Sequence, residues 1–543
     1  MTPEIIRQLP KIVHSWVAPN LHAFTGTRQP YVWLLALIIG FGVAVAAILF
    51  REGIGFVQLL WLGTRSEHVY SAALTLPWYW IMAGPVIGGL IVGGLLPLLT
   101  ARRTGAVADV IEARALTGRR LHLRDGLLSS AVTVLSLGFG GSAGREGPVV
   151  HLGAVLATAL AWRANLPEWC RRTLLAAGVA SAISASFNAP IAGVLFAHEV
   201  ILGHYAMRSF VPIVIASTAG GVASRLWFGD AAAFLIPHHQ ITSFWEFPAF
   251  ALLGVTAAVV AILFQLALFL ADYLARSLHI RYWLLPVLGG LAVGGIAVFF
   301  PQVLGVGYEV TDMALWRKLP LLTMLTLIVV KTIATAITLG TRFGGGIFSP
   351  ALYLGALTGG SFGIIAASVF PELASSEGLY AILGMGAVAG AVLGAPISTT
   401  VIVFELTGGY TLSIALLLCV AVAHGITQAI HGHSWFHWQL ETRGLFLQQG
   451  PHRALGQNKR VMDFMDPLPD DAEPEGYDPD KSPSLKPTDT LEAALRAFDK
   501  GGHNRLPVVD PRDETRIIAW ATHIHALRAY NRALVQASEE EHR

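Results

Sequence analysis

A glutamate sits inside a glycine-rich run that ends in proline, Gly144-Arg145-Glu146-Gly147-Pro148. A second run of the same design, Gly346-Ile347-Phe348-Ser349-Pro350, follows about two hundred residues later. Proline suits the first turn of a helix, where the N–H it lacks would have no intrahelical acceptor. Glycines ahead of it let a ligand approach the main chain closely. The unpaired N–H groups and the positive end of the helix dipole then face that ligand, which makes an anion site without a buried full positive charge. One helix end contributes roughly 0.3–1 kcal/mol when exposed and up to about 2 kcal/mol when partly buried, so a dehydrated anion needs several ends together. Glu146 can compete with the anion for the same N–H groups, and protonation would release it. That is a pH-sensitive gate. The plainer alternative is an Arg145–Glu146 pair at a helix start, where glutamate is favoured anyway.

Both runs belong to an internal repeat. Pro148-Val-Val-His-Leu-Gly-Ala154 returns as Pro350-Ala-Leu-Tyr-Leu-Gly-Ala356, an offset of 350 − 148 = 202. Ala189-Pro190-Ile191 precedes Glu199 as Ala395-Pro396-Ile397 precedes Glu405, an offset of 396 − 190 = 206 with nine positions from Pro to Glu in each copy. Two ordered matches at nearly one offset suggest duplicated halves, as in transporters that hold substrate between repeats on broken helices. Two unrelated helix starts are the alternative.

The elements that must position these residues are apolar. Of 543 residues 54% are hydrophobic and 13% charged, with mean hydropathy +0.58, against roughly 25% charged in soluble domains. Tyr31–Phe50 and Leu76–Leu99 carry no charge at all, and about 20 apolar residues cross a bilayer as helix. The expected fold is therefore an all-α polytopic membrane protein. Its apolar segments lie near 31–50, 76–99, 126–143, 147–161, 173–202, 210–228, 246–272, 282–300, 320–340, 346–370, 377–404 and 410–430. Glycine and proline cut several of them, and broken helices at membrane depth are tolerated where they line a cavity.

Other classes are disfavoured by what the chain lacks. Net charge is +2, which gives no reason to expect nucleic acid. Cys170 and Cys419 imply neither a disulfide framework nor a metal site, and 19 histidines include no HExxH spacing. No GxSxG elbow occurs. A membrane-embedded enzyme, or a sensor that binds an anion without transporting it, remain the readings of another class. Residues 1–29 show neither the apolar core nor the cleavage site of a signal peptide, so the first apolar helix is expected to direct insertion. Six arginines between Thr100 and Asp125 place that loop in the cytoplasm by the positive-inside tendency.

Domain boundaries are expected at 1–29 for an N-terminal cytoplasmic segment, 30–450 for the membrane domain, 451–487 for an acidic linker, and 488–543 for the tail. Asp463 to Asp480 holds eight acidic residues. The tail reads as a small α/β unit. A helix over 488–500 begins at an Asp489 cap, strands over 505–510 and 515–521 flank a turn at 511–514, and a helix runs from about His523 to Gln536.

At these residues the chain resembles the CLC family of chloride channels and chloride/proton exchangers. Gly144–Pro148 matches the family's GREGP motif, Gly346–Pro350 its GxFxP motif, and Phe187–Phe196 the run after the first repeat's ion-binding helices. The resemblance implies a multi-pass homodimer in membrane lipid, in the bacterial inner membrane, with one pathway per subunit for chloride and other small anions. It implies inverted halves, Glu146 as gating glutamate, and Gly144, Arg145, Gly147, Pro148, Gly346, Ser349 and Pro350 around the anion. The N–H groups of Ile347 and Phe348 fall at the central site.

Three departures stand out. Gly105 replaces the family's anion-touching serine, keeping an N–H but no hydroxyl. Phe436 stands where an anion-coordinating tyrosine is expected; Tyr410 lies elsewhere. Val200 occupies the position of the exchangers' proton glutamate, beside Glu199, leaving Glu146, His198 and Glu199 as the candidate proton path. These point to channel-like or weakly proton-coupled flow, with chloride/proton antiport the alternative. The tail resembles a CBS module, opening at Val461–Met465. That admits an adenine nucleotide there, a purely structural tail being the other reading; no further cofactor is expected.

Overall fold

The computed structural model describes residues 15, 17–22, 25–26, 28–116, 119–229, 241–407, 412–445, 459–468, 483–511 and 513–542. Much of segment 1–29, most of the acidic linker, and Tyr410 lie outside them. The chain forms two units, divided at Ser434/Trp435 with residues 115–119 joining the second. The division falls earlier than residue 450, just after Gly432 ends a helix with a left-handed φ of 78°.

The first unit is helical. Its main helices are α1 (Gln29–Leu62), α2 (Trp78–Leu95), α3 (Val107–Ala115), α4 (Leu123–Gly138), α5 (Glu146–Arg163), α6 (Glu168–Phe187), α7 (Pro190–Phe196) and α8 (Met207–Phe228). They continue with α9 (Phe247–Ser277), α10 (Leu285–Phe299), α11 (Tyr308–Leu315), α12 (Leu321–Gly340), α13 (Phe348–Val369), α14 (Glu377–Leu393), α15 (Pro396–Thr407) and α16 (Ser413–His431). Among the described residues, seven helical stretches are long and apolar enough to cross a membrane. On α1, Leu34, Ile38, Val45 and Leu49 are exposed, a face that suits lipid. The chain is a multi-pass integral membrane protein.

The breaks fall where the sequence places them. The apolar stretch 173–202 is two helices, because Asn188 turns left-handed (φ 57°) ahead of Pro190; 377–404 is two, because Gly394 does the same (φ 68°) ahead of Pro396. Their spacing, 394 − 188 = 206, is the repeat offset.

Contacts between the halves are reciprocal. A Cβ at Gly89 of α2 would strike the Pro286 carbonyl of α10, and one at Gly290 would strike the Pro85 carbonyl; 290 − 89 and 286 − 85 are both 201. Gly93 meets Trp283 and Gly294 meets Met82, so α2 and α10 run antiparallel. Such exchange of partners requires a two-fold axis between the halves. The sequence carries this stretch as well: Pro85–Gly94 and Pro286–Gly295 share eight of ten residues, a third copy of the repeat beyond the two motifs noted above. Within each half a glycine pair sets a tight crossing. A Cβ at Gly153 would lie 2.6 Å from the Gly178 carbonyl, and Gly355 of α13 faces Gly384 of α14 in the same way. The offsets are again 355 − 153 = 202 and 384 − 178 = 206.

The second unit holds α17 (Trp435–Glu441), β1 (Asp466–Pro467), α18 (Leu491–Gly501), β2 (Arg505–Asp510), β3 (Asp513–Thr522) and α19 (His523–His542). The strands form an antiparallel sheet in the order β1-β3-β2. β1 lies in the expected linker and was not anticipated, since two residues carry no alternation to read. The cap of α18 is Thr490, whose hydroxyl accepts from the Ala493 N–H, not Asp489, whose carboxylate takes the Lys486 N–H at 2.7 Å. Val461, Phe464, Leu491, Phe498, Leu506 and Val508 pack together in its core.

Because the Gly384 crossing has no room for a side chain, Gly384→Val should lower the thermal unfolding midpoint of the detergent-solubilised protein. Overpacking of this kind costs about 1–3 kcal/mol, and an unchanged midpoint would show that the crossing can relax.

Candidate functional site

The two glycine runs meet on the two-fold axis. The Gly144 N–H donates to the Gly346 carbonyl and the Gly346 N–H to the Gly144 carbonyl, both at 2.7 Å. Hydroxyls hold the loops from either side: Ser136 Oγ donates to the Gly344 carbonyl, and Thr338 Oγ1 accepts from the Ser142 N–H. Glycine is required here by close approach. A Cβ at Gly144 would lie 2.9 Å from Glu146 Oε2, and one at Gly346 would lie 3.2 Å from the Gly147 nitrogen. The starts of α5 and α13 are therefore adjacent.

Glu146 opens α5 and is fully buried. Tyr308, first residue of α11, donates its hydroxyl to Oε1 at 2.5 Å. Ser349 donates its hydroxyl to Oε2 at 2.5 Å. The carboxylate thus takes two hydroxyls instead of the expected main-chain N–H groups. Those of Ile347 and Phe348 have no acceptor among the described residues. Arg145 Nε stands 3.7 Å from Oε1, and its guanidinium lies 4.9 Å from the centre of the Tyr308 ring while pairing with Glu67. Pro148 and Pro350 lie in the first turns of their helices, as expected.

The start of α3 differs from the sequence reading. The Gly105 N–H, expected to be available, donates to Ser129 Oγ at 2.7 Å, and the Ala106 N–H donates to Asp109 Oδ2 at 2.7 Å. Arg103 anchors that carboxylate at 2.6 Å. This helix end is capped by its own aspartate. The space beside Gly105, where a serine side chain would project, is filled by the His151 ring. His151 lies on α5 with Glu146 and is nearly buried, and its ring nitrogens have no partner among the described residues. A serine at 105 does not fit unless His151 moves.

The outer ends of the repeat exchange carboxylates. Glu199 accepts from the Ile397 and Ser398 N–H groups at 3.0 and 2.7 Å and from the Ser398 hydroxyl; Glu405 accepts from those of Ile191 and Ala192 at 3.1 and 2.7 Å. Each glutamate caps the helix start of the other half. His198 is buried, its Nδ1 3.0 Å from the His204 carbonyl and its ring stacked on Tyr205 and Phe210. Val200 is buried in the same π-helical turn, Ala197–Leu202. Phe436 lies on α17, buried in the second unit.

Tyr308 and His151 were not singled out in the sequence. The signal for Tyr308 was the third repeat segment, whose offset makes it the counterpart of Val107 at the start of α3, 308 − 107 = 201.

The profile of the voltage gated chloride channel family matches residues 88–428, well over half the chain. A ClcB-like protein of Ralstonia nicotianae is 33% identical over 71% of this chain and 90% of its own. The voltage-gated ClC-type chloride channel ClcB of Escherichia coli is 29% identical over 74% and 96%. Among solved structures, a slow cyanobacterial Cl-/H+ antiporter has TM-score 0.68 at 21% identity, covering 76% of this chain and 97% of that one. A eukaryotic CLC transporter has TM-score 0.66 at 17% identity, covering 92% and 99%.

The exchanged caps predict a symmetric loss. Glu199→Ala and Glu405→Ala should each lower stability by about 1–2 kcal/mol, the usual cost of a lost helix cap. Thermal unfolding checks this, and an effect at only one position would show that the caps are not equivalent.

Proposed function

The chain belongs to the voltage gated chloride channel family, whose members are channels or transporters and not enzymes, and from that premise we propose that Glu146 gates its CLC-type chloride transport. The observation that carries the reading is a fully buried carboxylate held by two hydroxyl donors, with the Arg145 guanidinium paired to it only at 3.7 Å. An ionised carboxylate at membrane depth costs at least roughly 2.5–3.5 kcal/mol, so it persists only while Tyr308 and Ser349, with Arg145 nearby, hold it. The neighbouring N–H groups of Ile347 and Phe348 are the anion's seat, and a weak seat suits an ion that must leave again. Protonation weakens the carboxylate's hold on both hydroxyls and lets it swing away.

Flow is channel-like or weakly proton-coupled in this reading. Val200 cannot carry a proton, and Glu199 has both oxygens engaged as a cap. Chloride/proton antiport is the alternative, favoured by likeness in fold to a Cl-/H+ antiporter. The antiparallel pairing of α2 with α10 supports halves inverted across the membrane. We further read the protein as a homodimer of the bacterial inner membrane with its tail in the cytoplasm. The tail is a CBS-like module. Arg460, Arg496 and Lys500, with Glu492 paired to Arg496, line an open cavity of about 620 Å³ within it, whose cationic excess suits a nucleotide's phosphates.

Chloride efflux from proteoliposomes with simultaneous proton recording tests the reading. Glu146→Gln should raise flux at neutral pH and flatten its pH dependence, and Tyr308→Phe should shift it the same way by less. Unchanged pH dependence in Glu146→Gln removes the glutamate from the gate, and protons driven uphill by chloride overturn weak coupling.

Anion preference follows from Gly105. Gly105→Ser alone should destabilise the protein by collision with His151, whereas Gly105→Ser with His151→Ala should raise chloride permeability relative to nitrate. Equal permeability ratios in the double variant and the unchanged protein would show that a hydroxyl there does not select.

A further inference from the structure

A cavity of about 360 Å³ ends on Tyr308, the residue whose hydroxyl holds Glu146. Its charged lining is Arg51, Glu52, Arg65, Glu67 and Arg145, three cations against two anions. The central pair of guanidiniums shares one oxygen. Arg51 Nε lies 2.8 Å from Glu67 Oε1, and Arg145 Nη1 donates to that same atom. Arg145 leaves only 8% of its side chain exposed, while Arg51 and Glu67 keep 35% and 37%. Arg145 is thus the buried cation at the base of the cluster, whereas the carboxylate and Arg51, which lies over the Phe228 ring, both face the cavity.

Glu67 also has the means to leave. It sits on the loop between α1 and the short helix Val69–Ala73, after Gly63 in the left-handed region (φ 72°). That loop is held by local bonds, Ser66 N–H to Thr64 Oγ1 and His68 N–H to Ser66 Oγ, both exposed. Burial alone would raise the Glu67 carboxyl, but Arg145 and Arg51 hold it below the usual carboxylate range, so it is ionised near neutral pH. Two guanidiniums this close repel one another without a counter-ion. Whatever displaces Glu67 must be an anion.

We propose that this cavity is a second anion site, in which a small monovalent anion, halide or nitrate, displaces the Glu67 carboxylate from between Arg51 and Arg145. Two tethered carboxylates then stand in series, Glu67 in the cavity and Glu146 beneath Tyr308, with Arg145 facing both. The link to the pathway rests on the gate reading above; binding in the cavity does not.

Bromide is the probe. Isothermal titration of the purified full-length protein should show Glu67→Gln binding bromide roughly tenfold more tightly than the unchanged protein, equivalent to about 1.4 kcal/mol, because the competing carboxylate is gone. Glu67→Asp keeps the charge but reaches less far, and should shift affinity in the same direction by less; it serves where the glutamine variant does not fold. Bromide-soaked Glu67→Gln crystals should show anomalous density between Arg51 and Arg145. Unchanged or weaker affinity in both variants, or density confined to the surroundings of Glu146, overturns the proposal. Failure of the gate reading would look different: cavity binding would persist while Glu146→Gln left flux and its pH dependence unaltered.

Discussion

A carboxylate or a halide held at membrane depth must take most of its donors from groups that carry no net charge, since a lysine clamp would bind too tightly and bare lipid would not bind at all. Main-chain N–H groups and hydroxyls are the donors that satisfy this, and main-chain N–H groups are unpaired only at helix starts. The interruptions of the apolar segments are the consequence. α5 and α13 start inside the protein because Gly144 and Gly346 allow the loops ahead of them to bridge, and Pro148 and Pro350 suit the first turn of each helix. The glycine pairs at 153/178 and 355/384 bring the neighbouring helices close enough to bury those starts.

Symmetry multiplies the device without multiplying its parts. One half offers a glutamate at its helix start and the other a serine hydroxyl that holds it, although the repeat offset pairs Glu146 with Phe348 and Ser349 with Gly147, so the two helix starts have diverged in sequence. α3 and α11 have diverged as well. α3 begins under an aspartate cap, whereas α11 begins with Tyr308, which reaches Glu146. The centre therefore presents an asymmetric set of donors built on a symmetric frame.

Much of this was legible in the sequence. Glycine before proline, repeated at one offset, located both helix starts on the axis, and the offset linked Glu199 with Glu405. What was not legible depended on contact across the fold. No spacing rule says that the Gly105 N–H is taken by Ser129, twenty-four residues away, or that a histidine ring occupies the room of a missing serine. Tyr308 lay within reach of a closer reading, since its helix follows the repeated Pro286–Gly295 segment as α3 follows Pro85–Gly94. The edge strand Asp466–Pro467 is too short to carry a pattern, and its pairing with β3 is visible only in three dimensions.

The exchanged caps have a consequence for biosynthesis. The start of α7 is satisfied by Glu405, which leaves the ribosome more than two hundred residues after Ile191 and Ala192. At 5–20 residues per second that delay is roughly 10–40 s. For that interval the first half is inserted with two donors unsatisfied, and its own Glu199 waits equally for Ile397 and Ser398. Neither half can complete its own caps, so the helix starts of the first half are satisfied only once the second has been made.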